Sequence, residues 1–344
     1  MHQVSSSDEN HCNALFSIQV LTLQWEIGRS SGRDETIQMP LSEPRVSIVI
    51  LNWNSYQVTM DCLLSLRKMD YRNFEVVLVD NGSVDGSPER LLASAPEIRL
   101  IKNASNLGFA GGCNVGMRDA LRRGTDYILL LNNDTIVASD FLSQLVRVAE
   151  SDEKIGAVNP KILFFDRPDR LNYAGGEQKG WRLFPKVIGL RDRDDGRYDR
   201  MREVSFLTGC AFLVKAAVVR QIGVLEEVYF HFYDDIEWSL RLTRAGFKGV
   251  YVPQAVIWHR EHFDTYKNHR NGFIEFYLAR GNMVFARKHV PRRLWPFKMP
   301  FFCAWMVYRT LVFSSQRDWQ KVLSLYKGFW AGCMTKLPEE DTSV

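Results

Sequence analysis

Three short runs of almost unbroken apolar, largely β-branched residues constrain this chain more than any other feature: VSIVIL (Val46 to Leu51), FEVVLVD (Phe74 to Asp80) and YILLL (Tyr127 to Leu131). Runs without polar alternation belong to strands covered on both faces, as in a parallel sheet flanked by helices. The runs lead into polar clusters, in turn NWNS, DNGS and NND, and a further strand, IRLIK (Ile98 to Lys102), leads into the glycine-rich NLGFAGGCNVG. A helical stretch with Cys62, Leu66 and Met69 on one face follows the first run, and another is expected from about Asn114 to Arg123. Strands alternating with short helices predict right-handed βαβ units. Such sheets bind their ligands at the carboxyl ends of the strands, so the polar clusters should converge on one crevice.

The pattern is less regular downstream. A helix is expected near Phe141 to Ser151, a strand near IGAV, a polar stretch from Asp166 to Asp199, and a further apolar run in FLTGCAFLV (Phe206 to Val214). Asp234 or Asp235 can cap a helix that ends at Gly246 with Phe247 folded back on Leu242, and GVYVP and AVIWH read as two strands. Beyond His262 the pattern turns helical, basic and aromatic through about Trp330.

Composition narrows the class. With 46% hydrophobic and 24% charged residues among 344, the chain can bury a sizeable core and is not a disordered protein. The six cysteines are scattered without CxxC or metal-ligand spacing, which points to a reducing compartment. Residues 1–43 carry acids in no targeting order and read as a poorly ordered extension. The net charge of +4 hides an asymmetry: residues 263 to 330 hold 12 Lys or Arg against Asp264, Glu275 and Asp318, or +9, leaving −5 for the rest. A basic, aromatic-rich tail suits an anionic surface. Its longest apolar run, MPFFCAWMVYRTLVF, is broken by Arg309 and falls short of the ~20 residues a spanning helix needs, so an interfacial helix is expected. Helices packed on the catalytic body or on a second subunit of an oligomer explain the same pattern. Nucleic acid does not, because the apolar density exceeds what a phosphate-binding face needs.

The crevice residues carry the chemistry. Gly108, Gly111 and Gly112 permit close backbone approach, and a helix after them would offer N–H groups to a phosphate; a tight strand-to-helix connection is the plainer reading. The segment lacks the GK[ST] ending of a P-loop. Asp80 is placed to accept hydrogen bonds from a nucleobase or ribose, and Asp134 to hold a divalent cation against a diphosphate, although either could be a turn or cap residue. Asn132 and Asn133 are weaker, neutral oxygen donors. His259 ends an apolar run where imidazole can bind a Mn²⁺-like ion. Asp234, Asp235 and Glu237 are either a catalytic carboxylate cluster or an acidic first helical turn.

Taken in order, VSIVILNWN, VVLVDNGSVDGS, NLGFAGGCNVG, LLLNNDT, TGCAFLV and FYDDIEWSLRLTRAGF followed by WH resemble the inverting family 2 glycosyltransferases, in their rhamnosyltransferase-like branch. The resemblance covers about Pro44 to His262. It implies a GT-A fold over residues 44–262, a mainly parallel nucleotide-binding sheet flanked by helices, with a C-terminal helical extension over 263–344. It implies a nucleoside diphosphate sugar donor bordered by Leu51, Asn52, Asn54, Asp80, Asn106, Gly108, Gly111, Gly112, Asn114, Asn132 and Asn133. Asp134 and His259 would hold Mn²⁺ or Mg²⁺, Asp235 would be the catalytic base, and Thr208, Gly209, Asp234 and Trp258 would lie on the acceptor side. If the basic tail reaches a membrane, a polyprenyl-linked saccharide is the natural acceptor, otherwise a free saccharide, in cell-surface polysaccharide synthesis; the protein is then expected to be cytoplasmic and peripheral at the inner face of the membrane. Two departures stand out: the family's DXD position reads N-N-D, and its E-D-x-D reads Asp234, Asp235, Ile236, Glu237.

Two other readings compete. A nucleotidyltransferase making the activated sugar would place a basic, glycine-rich signature after the first strand, where NWNSYQ stands. A non-catalytic module binding a sugar nucleotide or glycan would not need Asp80, Asp134, Asp235 and His259 together.

Overall fold

The computed structural model describes residues 43–178, 184–261 and 272–337; the extension expected over 1–43 lies outside them apart from Glu43. The apolar runs fold as a β/α alternation: β1 (Val46–Asn52), α1 (Tyr56–Leu66), β2 (Phe74–Asp80), α2 (Ser87–Ser94), β3 (Arg99–Lys102), α3 (Gly108–Arg122) and β4 (Tyr127–Asn132). Parallel pairing joins β1 to β2 on one side and to β4 on the other, and β2 to β3. The chain therefore winds outward from β1 to β3, then returns to lay β4 on the opposite edge of β1. Strand order reverses between β1 and β4, and a crevice opens at such a reversal. Register sets Asn52 beside Asp80 and Leu51 beside Asn132, which brings the polar strand ends to one edge.

The second half extends this sheet with β5 (Thr135–Val137), α4 (Phe141–Glu150), β6 (Ile155–Phe164), β7 (Leu171–Tyr173), β8 (Gly176–Glu177), β9 (Lys186–Val187), β10 (Arg202–Val204), β11 (Ala211–Lys215), α5 (Ala216–Ile222), α6 (Asp234–Arg244) and β12 (Lys248–His259). The long path runs β10-β12-β6-β11-β4-β1-β2-β3, with β5 on β12 and β7 on β6. β11 opposes both β4 and β6, so β6 and β12 again run in the direction of β1 to β4. The sheet is thus mainly parallel, as the apolar runs predict. GVYVP and AVIWH form the single strand β12 rather than two; the register slips between Val252 and Val256, where Pro253 has no N–H to give a ladder.

Packing explains the glycines. The expected start near Asn114 is six residues late, because NLGFAGGCNVG is not a loop: Gly108 opens α3. A Cβ on Gly112 would stand 2.4 Å from Leu51 Cδ1, and one on Gly116 2.4 Å from Val49 Cγ1, so α3 lies directly on β1. Beneath it Val46, Ile48, Val49 and Ile50 are fully buried, each contributing about 1.5–3 kcal/mol.

Three helices close the described chain: α7 (Phe273–His289), α8 (Trp295–Ser315) and α9 (Trp319–Met334). Val284 and Phe285 of α7 join the main core, while Ala279, Met283, Phe302, Met306 and Leu325 form a smaller one. No helix among the described residues is long and apolar enough to cross a membrane.

Candidate active site

Two adjoining clefts, of about 590 and 690 Å³, open at the reversal between β1 and β4. The first gathers Asn132, Asp134, Thr208, Gly209, Asp234, Asp235 and His259; the second gathers Leu51, Trp53, Asn133, Phe165 and Asp166. Phe109, Asn132, Asp134, His231 and Arg260 line both. Residues nearly 130 positions apart thus meet at one rim, because antiparallel pairing sets His259 of β12 beside Thr135 of β5, next to Asp134.

Asp134 and His259 form the cation-like end. His259 Nε2 lies 3.1 Å from Asp134 Oδ1, and Glu261 Oε2 lies 3.7 Å from Nδ1 on the far side of the ring. Burial opposes charge on both groups. Nevertheless His259 keeps the Asp134 carboxyl below the usual carboxylate range, and Cys210 and Asp134 hold the imidazole well above the usual histidine range. Asp134 Oδ1 is buried and faces His259 Nε2 across this contact. A carboxylate oxygen and an imidazole nitrogen with a carboxylate behind the ring suit a divalent metal ion, and the proton on His259 would leave as metal entered. Among the described residues no third His, Cys, Asp or Glu completes a cage.

Asp234 and Asp235 form the acidic end, at the start of α6. Gly209 N–H and Ile236 N–H donate to the Asp235 carboxylate at 3.0 and 2.8 Å. Burial outweighs these bonds and raises its pKa to about 6. Asp234 is buried, its Oδ2 has no hydrogen-bond partner among the described residues, and burial followed by the charge of Asp235 pushes its pKa well above the ordinary value. One member of the pair is therefore held neutral beside an ionised neighbour, an arrangement suited to proton transfer. Neither caps α6 by its side chain: the N-cap is Tyr233, in the left-handed region at φ 71°. Phe230 and Phe232 also have positive φ, at 64° and 60°. Backbone held this way costs about 1–3 kcal/mol per residue and collects where surroundings fix a working geometry. Here Phe109 N–H holds the Phe230 carbonyl at 2.7 Å, and Tyr233 packs on Gly281 of α7 and receives a hydrogen bond from Asn282.

Glu237 separates from this pair. It is fully buried, turned toward Arg241, Lys288 and His289 at 2.8, 3.4 and 3.3 Å. Although burial raises it, these groups bring its pKa down to about 2. Its folded value is depressed, so its stabilising contribution is present above about 4.5 and fades as pH falls toward about 2. Glu237→Gln should lower stability by about 3 kcal/mol, with the deficit shrinking in acid, as denaturant titrations across that window will read.

Several expected donor residues lie outside the clefts. Asn52 is buried and hydrogen-bonded to Asp80, Ser83, Ser87 and Thr59. Asp80, only 2% exposed, accepts from Ser83 N–H and from Asn52, locking the turn after β2. Asn54 accepts from Val84 N–H, and Asn106 from Asn81 and Gly108 N–H. Asn114 is buried against Leu225 and Glu227. A Cβ on Gly108 would stand 2.5 Å from the Phe230 carbonyl, and one on Gly111 2.9 Å from Leu107, so the chain itself approaches both glycines closely. Trp258 neighbours His259 in β12 and so points to the other face, where it packs on the core. Conversely, sequence reasoning passed over Trp53, Phe109, His231 and Arg260. Trp53 is 55% exposed at the rim of the second cleft, and burial holds the His231 pKa down at about 4. Trp53 alone had a signal, an exposed aromatic in the cluster after β1.

Comparison with known proteins agrees with this geometry. The glycosyltransferase-like family 2 profile matches residues 44–271. An N-acetylglucosaminyl-diphospho-decaprenol L-rhamnosyltransferase of Mycobacterium tuberculosis is 27% identical over 59% of this chain and 72% of its own length. A dTDP-rhamnosyl transferase of Shigella flexneri is 24% identical over 78% of this chain and 88% of its own. Among solved structures, a Pyrobaculum calidifontis mannosyltransferase in complex with GDP-Man and Mn²⁺ superposes with a TM-score of 0.53, at 16% identity, over 87% of this chain and 89% of that one. GalNAc-T7 with UDP, GalNAc and Mn²⁺ gives 0.52 at 18% identity, over 63% of this chain and 43% of that one. The architecture shared with these enzymes is the GT-A fold.

Proposed function

The chain belongs to glycosyltransferase family 2, and from that premise we propose that it is an inverting transferase moving a hexosyl group, best L-rhamnose from dTDP-L-rhamnose, onto a saccharide or lipid-linked saccharide. The observation that carries the reading is the meeting of Asp234 and Asp235 with Asp134 and His259 around one cleft. Asp235 takes the proton of the acceptor hydroxyl as that oxygen bonds to the anomeric carbon and the bond to the diphosphate breaks. Gly209 N–H and Ile236 N–H fix the carboxylate while this happens. Neutral Asp234 keeps a second negative charge away from the incoming oxygen and can donate a hydrogen bond to the acceptor. Trp53 offers a face for a base to stack on, and Arg260 offers a guanidinium to both clefts. A divalent cation held by Asp134 and His259 would neutralise charge on the departing diphosphate.

The rhamnosyl donor rests on the two relatives' names, so the direct test is a thermal-shift screen of dTDP, UDP and GDP with Mn²⁺, read by mass-action stabilisation. A rise with dTDP above the other two supports it; a larger rise with UDP or GDP reassigns the donor. The pH dependence follows from Asp235. Because the base must be ionised and burial raises it to about 6, kcat/KM should climb with pH and level off above that value. A flat profile between about pH 5 and 8 contradicts the assignment.

A further inference from the structure

The C-terminal hairpin carries two apolar faces, of which the fold uses one. On α8 the stripe Phe302, Met306 and Phe313 is buried. The opposite stripe of the same helix, Phe297, Phe301, Tyr308 and Leu311, is 69%, 76%, 62% and 65% exposed. On α9, Leu325, Gly328 and Gly332 face inward, and the glycines let the helix reach the backbone of Phe276 and Arg280. Its outward stripe, Trp319, Leu323, Tyr326 and Trp330, falls at three- and four-residue helical steps and is 40–64% exposed. A helix that is apolar all round is ordinarily buried all round, and contiguous exposed apolar surface marks a contact. The two helices run antiparallel, Phe302 stacking on Phe329 and Thr310 reaching the Tyr326 hydroxyl at 3.2 Å, so both stripes belong to one hairpin.

Charge decides what covers it. Residues 290 to 337 contain eight Lys or Arg and a single acid, Asp318, for a net +7. Arg292, Arg293, Arg317, Lys327 and Lys336 are exposed along the hairpin. A second copy would bring +7 against +7, whereas a surface of anionic phospholipid complements the charge and accepts Trp, Tyr and Phe at headgroup depth. We propose that the outward stripes of α8 and α9 dock the protein on an anionic phospholipid bilayer. The docked face is tied to the chemistry by packing. α9 seats on α7 through Gly328 and Gly332, and α7 in turn holds Tyr233, the residue before the Asp234–Asp235 pair, through Gly281 and Asn282. The cleft is thereby held at a set height above the lipid, where an acceptor anchored in that bilayer would be met.

The surface stands whatever the sugar donor is, because its test reads lipid binding and not transfer. The full chain is floated with phosphatidylcholine vesicles with and without phosphatidylglycerol, beside Phe301→Glu/Leu311→Glu/Trp330→Glu and Arg292→Glu/Arg293→Glu. All five positions are exposed, and a matching thermal melt verifies each fold. The wild type should float with the anionic vesicles and leave them as salt rises; each variant should bind at least about tenfold more weakly. Equal flotation of wild type and variants, or none of the wild type, overturns the proposal. A dimer of the wild type that the triple variant splits, without a change in flotation, assigns the face to self-association instead.

Discussion

Replacing Asp235 by Asn should lower sugar transfer by about 10² to 10⁴ while nucleotide binding stays nearly unchanged. The carboxamide has the shape of the acid and can still accept from Gly209 N–H or Ile236 N–H, so the start of α6 keeps its place. What is lost is a base whose pKa burial has raised to about 6, near the working pH of a proton acceptor. The same burial disfavours the charged side chain, so the variant should melt no lower than wild type. Steady-state turnover, titration calorimetry with the nucleoside diphosphate and a thermal melt separate these effects. Loss of binding together with turnover would mean that Asp235 holds the donor and does not act on the acceptor.

The second large effect is expected at Asp134. Asp134→Asn should weaken Mn²⁺ binding by about 10- to 100-fold or more, read by electron paramagnetic resonance of the bound ion, with activity falling in parallel. The carboxylate oxygen that faces His259 at 3.1 Å is the charged half of the pair. A carboxamide there cannot neutralise a dication, and Asn132 and Asn133 beside it are equally uncharged. The substitution also removes one of the groups that hold the His259 pKa up, so the ring's titration, followed by proton nuclear magnetic resonance without metal, should move down. Unchanged Mn²⁺ affinity would show that the pair is only an ion pair closing β12 onto β5.

Much of the sheet was legible because burial on both faces leaves a signature in the residues themselves. β1, β2 and β4 coincide with their apolar runs within one residue, and the reversal that opens the crevice follows from pairing rules. The meeting of Asp134, Asp235 and His259 in one cleft was legible because these carboxylates and this histidine end strands or begin a helix. The site was not legible where small polar side chains could serve either a ligand or their own turn. Asn52, Asp80, Asn106 and Asn114 all bond within the protein, and nothing in a single sequence distinguishes that outcome. The glycines are ambiguous for a related reason, since close approach to Leu51 and Phe230 asks for the same residue as close approach to a phosphate. Trp258 shows a third limit: whether a strand residue faces the cleft or the core depends on a one-residue phase that the motif does not carry. The positive-φ segment from Phe230 to Tyr233 has no glycine to announce it, and only its packing on α3 and α7 reveals why it holds.

The proposed mechanism is a single displacement with Asp235 as base and no nucleophile from the protein. The measurement that tests it most directly is early-time nuclear magnetic resonance of donor hydrolysis, with dTDP-L-rhamnose, Mn²⁺ and water as acceptor, before the freed sugar mutarotates. The first anomer released should have the configuration opposite to the donor's. Release of the donor's own anomer would contradict it, because retention requires either two displacements or attack from the face the diphosphate leaves.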